Sequence, residues 1–554
     1  VLEKLYEMVL ATRVEFSYSK KEILNMYASH APFGGNVVGL EAASWRYFGI
    51  SSDKLSWAQA ATLAVLPNSP SLIHPGKNRD ALRAKRNRLL KKMFEKGIID
   101  SETYELSIDE DIPLINKRFP NLAYHLLMRK MKEDVLKTET TLKSEFQKSI
   151  IRISQKHQNR LSGNKISNLA VLVLDVKSGN VLGYVGNVKN DSGKDNNYSV
   201  DLIRAERSTG SILKPLLYSS MLTEGEILPN TLVLDIPTRL GGYTPKNYNR
   251  NYSGAVPAHE ALARSLNIPA VRMLRSYGLE KFYYKLEDLG LTTLHRHPDH
   301  YGLSLILGGC EGSLWEICGI YASMARTLLN YEEYGYQYDK NDFHEPVYSK
   351  KDPEELNKGP EWQDLENASY LSASSIWLTF DAMLDVERPE DESNWELFRS
   401  SEKIAWKTGT SFGFRDAWAV GVTPKYVVGI WAGNADGEGR PDLVGIKAAA
   451  PILFDVFDAL PDAENWFKMP ERDFSEAEIC TESGYLAGPV CDNTRIDFIP
   501  KTGIRTDPCP FHTLVHLDMK EEFQVHAGCE SPENIVTKPW FVLPPSAESY
   551  YRSL

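Results

Sequence analysis

Apolar residues recur along this chain with two different periods, and the period changes from stretch to stretch. Leu55-Ser-Trp-Ala-Gln-Ala-Ala-Thr-Leu-Ala-Val-Leu66 grades from amphipathic to wholly apolar and predicts a helix ending before Pro67-Asn-Ser-Pro70. Arg83–Met93 predicts another helix with a basic, solvated face, and Leu142–Arg160 a third inside a lysine-rich stretch. Upstream of these, Lys20–Tyr27, Phe33-Gly-Gly35 and Gly39–Gly49 alternate helical and loop signals. At Ala170 the pattern becomes that of strands. Ala170–Val176 and Val181–Val185 flank Ser178-Gly179-Asn180, which reads as a hairpin turn. Ile212, Leu213, Leu216, Leu217, Tyr218 and Met221 then hold one helical face, with Pro215 tolerable in its first turn. Leu314-Trp-Glu-Ile-Cys-Gly-Ile320 is again helical, while Ile404–Trp406, Ala417–Val420 and Tyr426–Trp431 read as strands.

At 554 residues the chain exceeds one core, so two or three domains are expected. A formal charge of −11 argues against a nucleic-acid partner. No run of 18 or more apolar residues occurs, and no signal peptide opens the sequence.

The helical face after Ile212 gives chemical interest to Gly210-Ser211-Ile212-Leu213-Lys214-Pro215. A lysine one turn from a serine can take its hydroxyl proton if burial or a neighbouring cation keeps the amine neutral. The same spacing at Ser17/Lys20, Ser51/Lys54, Ser162/Lys165 and Ser400/Lys403 lacks this setting and reads as surface residues. Two further elements follow in order: Ser265-Leu266-Asn267 before an apolar run, and Lys407-Thr408-Gly409-Thr410 after Trp406. Lys501-Thr502-Gly503 repeats the last motif after Pro500, without a hairpin partner, and reads as a loop.

The ordered set resembles the three motifs of penicillin-binding transpeptidases. The runs Asp235-Ile-Pro, Gly242–Tyr248, Tyr301–Gly309, Gly413–Gly421 and Gly433–Pro441 narrow the resemblance to bifunctional class A penicillin-binding proteins, the 1C type in particular. It implies a multidomain α+β chain in three parts. These are a remnant of a lysozyme-like helical glycosyltransferase domain (1–103, then a linker, 104–165), a transpeptidase-like antiparallel sheet flanked by helices (166–470), and a cysteine-containing tail (471–554).

The implied reaction is D,D-transpeptidation of peptidoglycan stem peptides ending in D-alanyl-D-alanine, with β-lactams as mimics that acylate Ser211. Lys214 would be the base and Ser265 the proton relay to the leaving D-alanine. Asn267 would orient the peptide, Lys407, Thr408, Gly409 and Thr410 would bind the substrate carboxylate strand, and the backbone N–H groups of Ser211 and Thr410 would form the oxyanion hole. No cofactor or metal is implied. With water as acceptor, the same serine would make a D,D-carboxypeptidase or β-lactamase; without turnover, a β-lactam sensor or scaffold.

Residues near the N-terminus resemble the later part of the family 51 glycosyltransferase domain, with Lys4 and Glu7 in one motif and Lys20, Ile23 and Tyr27 in the next. Glu3, Ser29 and Lys85 depart from the usual residues. Val1 falls inside the first motif, so an N-terminal membrane anchor and the catalytic glutamate are expected in a longer parent, which would polymerise a lipid-linked precursor. The resemblance places the chain in the bacterial cell envelope, on the periplasmic side of the inner membrane, where other cell-wall synthesis proteins are possible partners.

Six cysteines complete the picture. Cys310 and Cys318 read as buried thiols. Cys480, Cys491, Cys509 and Cys529 lie in the tail, near His512, His516 and His526, and an exported protein favours disulfides. Cys509-Pro-Phe-His512 has the form of half a zinc site. Cys480 and Cys491 stand too far apart in sequence for a matching knuckle, which ranks zinc below disulfides. Tyr331–Gly359, acidic and aromatic, reads as an inserted surface loop.

Overall fold

The computed structural model describes residues 2–34, 36–67, 75–113, 117–133, 138–189, 196–349, 364–386, 403–461 and 465–551. The chain divides into two compact units, Val1–Asn121 and Leu122–Leu554.

The first unit is helical: α1 (Leu2–Ser17), α2 (Lys20–His30), α3 (Leu40–Tyr47), α4 (Trp57–Val65), α5 (Arg79–Glu95) and α6 (Ser101–Asp109). Capping boxes start α2 (Ser19 with Glu22) and α4 (Ser56 with Gln59), each satisfying backbone donors that a helix end leaves free. Its main core gathers Phe33, Ala43, Tyr47, Leu63, Leu66 and Leu82. The basic face of α5 is not wholly solvated. Arg86 is buried and donates to the carbonyls of Ile108 and Glu110, tying α5 to the end of α6, where free carbonyls attract a cation. Pro70, named as the stop after α4, lies outside the described residues.

In the second unit, α7 (Tyr124–Met131) and α8 (Ser144–Ser162) lead to β1 (Asn168–Asp175) and β2 (Val181–Val185). Then follow β3 (Arg207–Ser208), α9 (Lys214–Glu224), β4 (Leu232–Asp235), β5 (Gly254–Pro257), α10 (Ala258–Ala263) and α11 (Asn267–Tyr277). After α12 (Leu279–Asp288), α13 (Pro298–Tyr301), β6 (Glu311–Gly312), α14 (Leu314–Glu333), β7 (Tyr338–Asp339) and β8 (Leu365–Glu366), the chain returns to the main sheet. It does so with β9 (Ala405–Thr410), β10 (Asp416–Val422) and β11 (Tyr426–Gly433). Two hairpin-like pairs close the chain: β12 (Phe474–Cys480) with β13 (Thr494–Pro500), and β14 (His512–Leu517) with β15 (Val536–Phe541).

The central sheet runs β2-β1-β11-β10-β9, and all its pairs are antiparallel. Both faces are covered, which explains why its strands are nearly continuous runs of apolar residues. On β1, Ala170, Leu172 and Leu174 enter the core that holds α9 and α14. Leu169, Val171 and Val173 enter the opposite core, with Ile150 of α8 and the helix Ala450–Phe457. β9, which carries Lys407, is an edge strand.

Several expectations change here. Residues 104–165 are not a linker: Tyr104 and Ile108 pack in the first unit, whereas Gln147, Ile150 and His157 of α8 are buried in the second. Tyr331–Gly359 is not simply a surface loop. Tyr338 and Asp342 are buried, and Val347 exchanges backbone bonds with Gly179 and Val181 at the β1–β2 turn; residues 350–359 lie outside the described ones. Lys501-Thr502-Gly503 forms a 3-10 turn directly after the β12–β13 hairpin, off the main sheet.

The tail cysteines form no disulfide in this structure. Cys480, Cys491 and Cys509 converge on His512, and Cys529 stands apart, exposed. Sequence distance misleads here because Cys480 pairs across the hairpin with Thr494, which folds the loop carrying Cys491 back beside it.

Candidate active site

Ser211 lies on a turn just before α9, which begins at Lys214. The turn is closed by Ile212 N–H donating to the Thr209 carbonyl (3.2 Å) and Lys214 N–H to the Ser211 carbonyl (3.3 Å). Gly210 makes its position possible. Its φ is +54°, and a Cβ there would sit 2.7 Å from the backbone N and O of Thr410. The nucleophile's turn therefore rests directly on the edge strand β9. Tyr321 of α14 fixes the turn from below, donating to the Ile212 carbonyl at 2.9 Å.

Ser265 occupies the short connection between α10 and α11 with φ +54°, a left-handed conformation uncommon for a residue with a side chain. Two lysines hold it. Lys214 Nζ donates to the Ser265 carbonyl (2.7 Å), the Leu266 carbonyl (3.1 Å) and Asn267 Oδ1 (2.8 Å). Lys407 Nζ donates to Ser265 Oγ (2.7 Å) and to the Thr408 carbonyl (2.8 Å). Asn267 Nδ2 donates to the Lys246 carbonyl at 2.9 Å, which leaves its oxygen turned toward Lys214.

Both amines are buried without a carboxylate partner. Burial pushes Lys407 down to about 7. Lys214 falls well below the ordinary lysine value, first by burial and then by repulsion from Lys407. Uncharged, Lys214 has two protons for the three acceptors of the Ser265–Asn267 turn, so one of these contacts opens to free its lone pair. Thr408 and Thr410 are half-buried on the strand face opposite Lys407, and the Thr410 hydroxyl accepts from Gly445 N–H at 3.0 Å.

The structure therefore brings Ser211, Lys214, Ser265, Asn267 and the Lys407–Thr410 strand into one place. Asn247 and Asp235 also belong to it, although motif reading gave them no role. Asn247 Oδ1 accepts from the N–H groups of Asn267 (3.0 Å) and Ile268 (3.2 Å), capping α11 from outside, since Leu266 at the cap position has no side chain to do so. Asp235 holds Asn247 Nδ2 at 2.7 Å and Ser253 N–H at 3.0 Å. Both residues lie in runs quoted for the family resemblance, which was the only sequence signal they gave.

In the first unit, Lys4 and Glu7 pair at 2.5 Å on α1, both exposed. Lys20 and Tyr27 are exposed on α2. These four residues form no buried constellation comparable to the one around Ser211.

Comparison with known proteins agrees with this division. Residues 1–94 match the transglycosylase family model, and residues 169–328 match the penicillin-binding protein transpeptidase domain. Penicillin-binding protein 1C of Escherichia coli is 36% identical over 82% of this chain and 56% of its own length. Penicillin-binding protein 1F of Bacillus subtilis is 26% identical over 78% of this chain and 60% of its own length. The chain thus spans little more than half the length of these relatives. The crystal structure of penicillin-binding protein 1A from Haemophilus influenzae shares the fold at 18% identity, covering 88% of this chain and 92% of that one with a TM-score of 0.56. With the two domains in this order and these relatives, the chain belongs to the class A penicillin-binding proteins.

Proposed function

We propose that the second unit is a serine D,D-transpeptidase that cross-links peptidoglycan stem peptides through an acyl-enzyme on Ser211. The observation that carries this reading is the grip of two buried lysines on one turn: Lys214 on the Ser265 carbonyl and Asn267, Lys407 on the Ser265 hydroxyl. It joins base, relay and substrate cation at one point.

Neutral Lys214 takes the Ser211 Oγ proton as the oxygen attacks the penultimate D-alanine carbonyl. Negative charge on that carbonyl oxygen is met by the N–H groups of Ser211 and Thr410, whose backbones the Gly210 contact brings together. The proton passes by way of Ser265 to the nitrogen of the departing D-alanine. The carboxylate of that residue sits on Lys407, while the peptide lies along the open edge of β9. The side chains of Thr408 and Thr410, expected from the motif to share in that contact, face the other side of the strand, where Thr410 holds Gly445. An amine of a second stem then attacks the ester, forming the amide cross-link and returning the proton to Ser211.

A β-lactam closes the same path at the acyl-enzyme. In a longer parent, the transglycosylase segment would serve polymerisation of a lipid-linked disaccharide-peptide, which sets the work at the outer face of the bacterial inner membrane. Among the described residues, no helix is long and apolar enough to cross a membrane.

Fluorescent penicillin should label the protein covalently, and Ser211→Ala should abolish the label. Labelling that survives this change overturns the assignment. Incubation with stem-peptide substrate should then give cross-linked dimer. Release of D-alanine with water as sole acceptor would mark a carboxypeptidase, and acylation without turnover a sensor.

A further inference from the structure

Apart from the acyl-transfer site, one cluster of reactive side chains in the second unit has no role in the proposed chemistry. Cys480 ends β12, Cys491 lies on the loop to β13, Cys509 follows in the next connection, and His512 opens β14. Their ligand atoms lie within 4.8 Å of one another. His512 Nδ1 stands 3.3 Å from Cys509 Sγ, 3.4 Å from Cys491 Sγ and 3.6 Å from Cys480 Sγ.

Hydrogen bonding does not account for this. One imidazole nitrogen carries either one proton or one lone pair, so it can satisfy one sulfur and not three. Disulfide chemistry does not account for it either, since all three cysteines are free. A shared tetrahedral ion does. With Zn–S near 2.3 Å and Zn–N near 2.0–2.1 Å, a nitrogen and a sulfur on one zinc are about 3.6 Å apart. The three observed separations, 3.3, 3.4 and 3.6 Å, reach that value at their upper end and fall just short of it otherwise.

The surroundings fit a metal ligand set. Glu482 accepts from or pairs with His512 Nε2 at 2.8 Å, which sets the proton on Nε2 and turns the Nδ1 lone pair toward the sulfurs. Gly488 N–H donates to Cys491 Sγ at 3.3 Å, as backbone donors do to a thiolate. Cys480, Cys509 and His512 are buried and Cys491 is half-buried, so uncompensated thiolates there would be costly. Glu482 and Asp492 approach His512 from its Nε2 side, are largely exposed, and serve better as outer partners than as ligands.

We propose that Cys480, Cys491, Cys509 and His512 form a structural zinc site. Four protein ligands leave no open position, so the ion is not catalytic, and a soft set of three sulfurs and one nitrogen favours Zn²⁺ over hard cations. Its place in the fold states its task. The loop between Cys480 and Cys491 contains Ser483, whose carbonyl accepts from Leu232 N–H of β4 at 2.9 Å, and Leu486, whose carbonyl accepts from Cys509 N–H at 2.8 Å. The ion would lock that loop against the strand leading to the Ser265 turn. This inference is independent of the acyl-transfer reading.

Elemental analysis of the full chain, purified without chelator, should find one zinc per chain that survives dialysis. A mercurial that captures thiolates should release it. Cys509→Ser should lose the zinc, and Cys529→Ser should keep it. Because a ligand variant can misfold, the wild-type chain refolded with cobalt provides a second readout: thiolate-to-cobalt charge transfer and tetrahedral d–d bands. Substoichiometric zinc in the wild type overturns the proposal. So does an intact mass showing a disulfide among Cys480, Cys491 and Cys509, or a cobalt spectrum without thiolate bands.

Discussion

At the scale of single residues, Ser265 is the pivot of the site. Its left-handed backbone costs on the order of 1 kcal/mol and is kept by the two lysines that bond its carbonyl and its hydroxyl. Two amines in one desolvated pocket cannot both stay charged at neutral pH. Lys214, more strongly depressed, gives up its proton first and becomes the base, whereas Lys407 titrates near 7. The rate of acylation by benzylpenicillin should therefore be bell-shaped in pH. Its acid limb belongs to Lys214 losing a proton, and its alkaline limb, near 7, to Lys407 losing the cation that receives the carboxylate. Lys407→Met should remove the alkaline limb and slow acylation about 100-fold or more, in line with loss of a buried charged contact. It should also move the acid limb to higher pH, because the like charge that lowers Lys214 is gone. Stopped-flow acylation from pH 5 to 9 reads both effects. An acid limb that stays in place would show that the lysines do not share a field.

At the scale of elements, α14 shows how interior polar groups stabilise what sequence pattern reads as loop. Asn330 Nδ2 donates to Asp342 Oδ1 at 2.6 Å, while Asn330 Oδ1 and Asp342 Oδ2 are buried with no partner. Burial pushes the Asp342 carboxyl up to about 7, and a proton on Oδ2 supplies a donor where one is lacking. The folded-state value lies above the unfolded one of about 3.9. The contribution of this carboxyl is thus full below about pH 4, is lost as pH rises toward 7, and is constant beyond. Asp342→Asn keeps a donor at every pH. Its stability relative to wild type should rise between pH 5 and 7 by on the order of 2 kcal/mol and then level off, as measured by denaturant midpoints. A difference independent of pH would mean that Asp342 is ionised in the fold.

The same elements show what was legible beforehand. The β1–β2 hairpin, the helix after Ser211 and strand β9 were readable because their apolar patterns answer to neighbours close in sequence. The segment after Tyr331 was not, since it is held by Arg326 and Asn330 donating to Asp342 across the interior. Asn247 was invisible as a cap because it reaches α11 from a loop twenty residues upstream. The cysteine cluster was hidden for a similar reason: only the β12–β13 register brings Cys491 to Cys480.

At the scale of the molecule, the tail joins the catalytic unit instead of hanging from it. Thr502 and Thr506 donate to the carbonyls of Leu222 (3.1 Å) and Gly225 (3.0 Å), completing the C-terminal end of α9, the helix that starts beside the nucleophile. Leu228 is buried between Ile479 and Ile499. The tightest point is Gly484, with φ +68°, where a Cβ would lie 1.8 Å from the Asn230 carbonyl oxygen. That oxygen belongs to backbone and cannot swing aside as a side chain would. Gly484→Ala should therefore pull the Ser483 carbonyl from Leu232 and destabilise the second unit by about 1–3 kcal/mol. Trypsin should then cut sooner at Arg495, Lys501 or Arg505 in the loosened tail. Acylation of Ser211 should change less than the unfolding midpoint, because the nucleophile's turn is held separately by Tyr321 and by its contact with Thr410. Unchanged midpoint and unchanged proteolysis would show that the tail does not bear on the catalytic unit at this point. A parallel fall in acylation would show instead that the Ser265 turn, reached through β4 and β5, depends on the tail for its position.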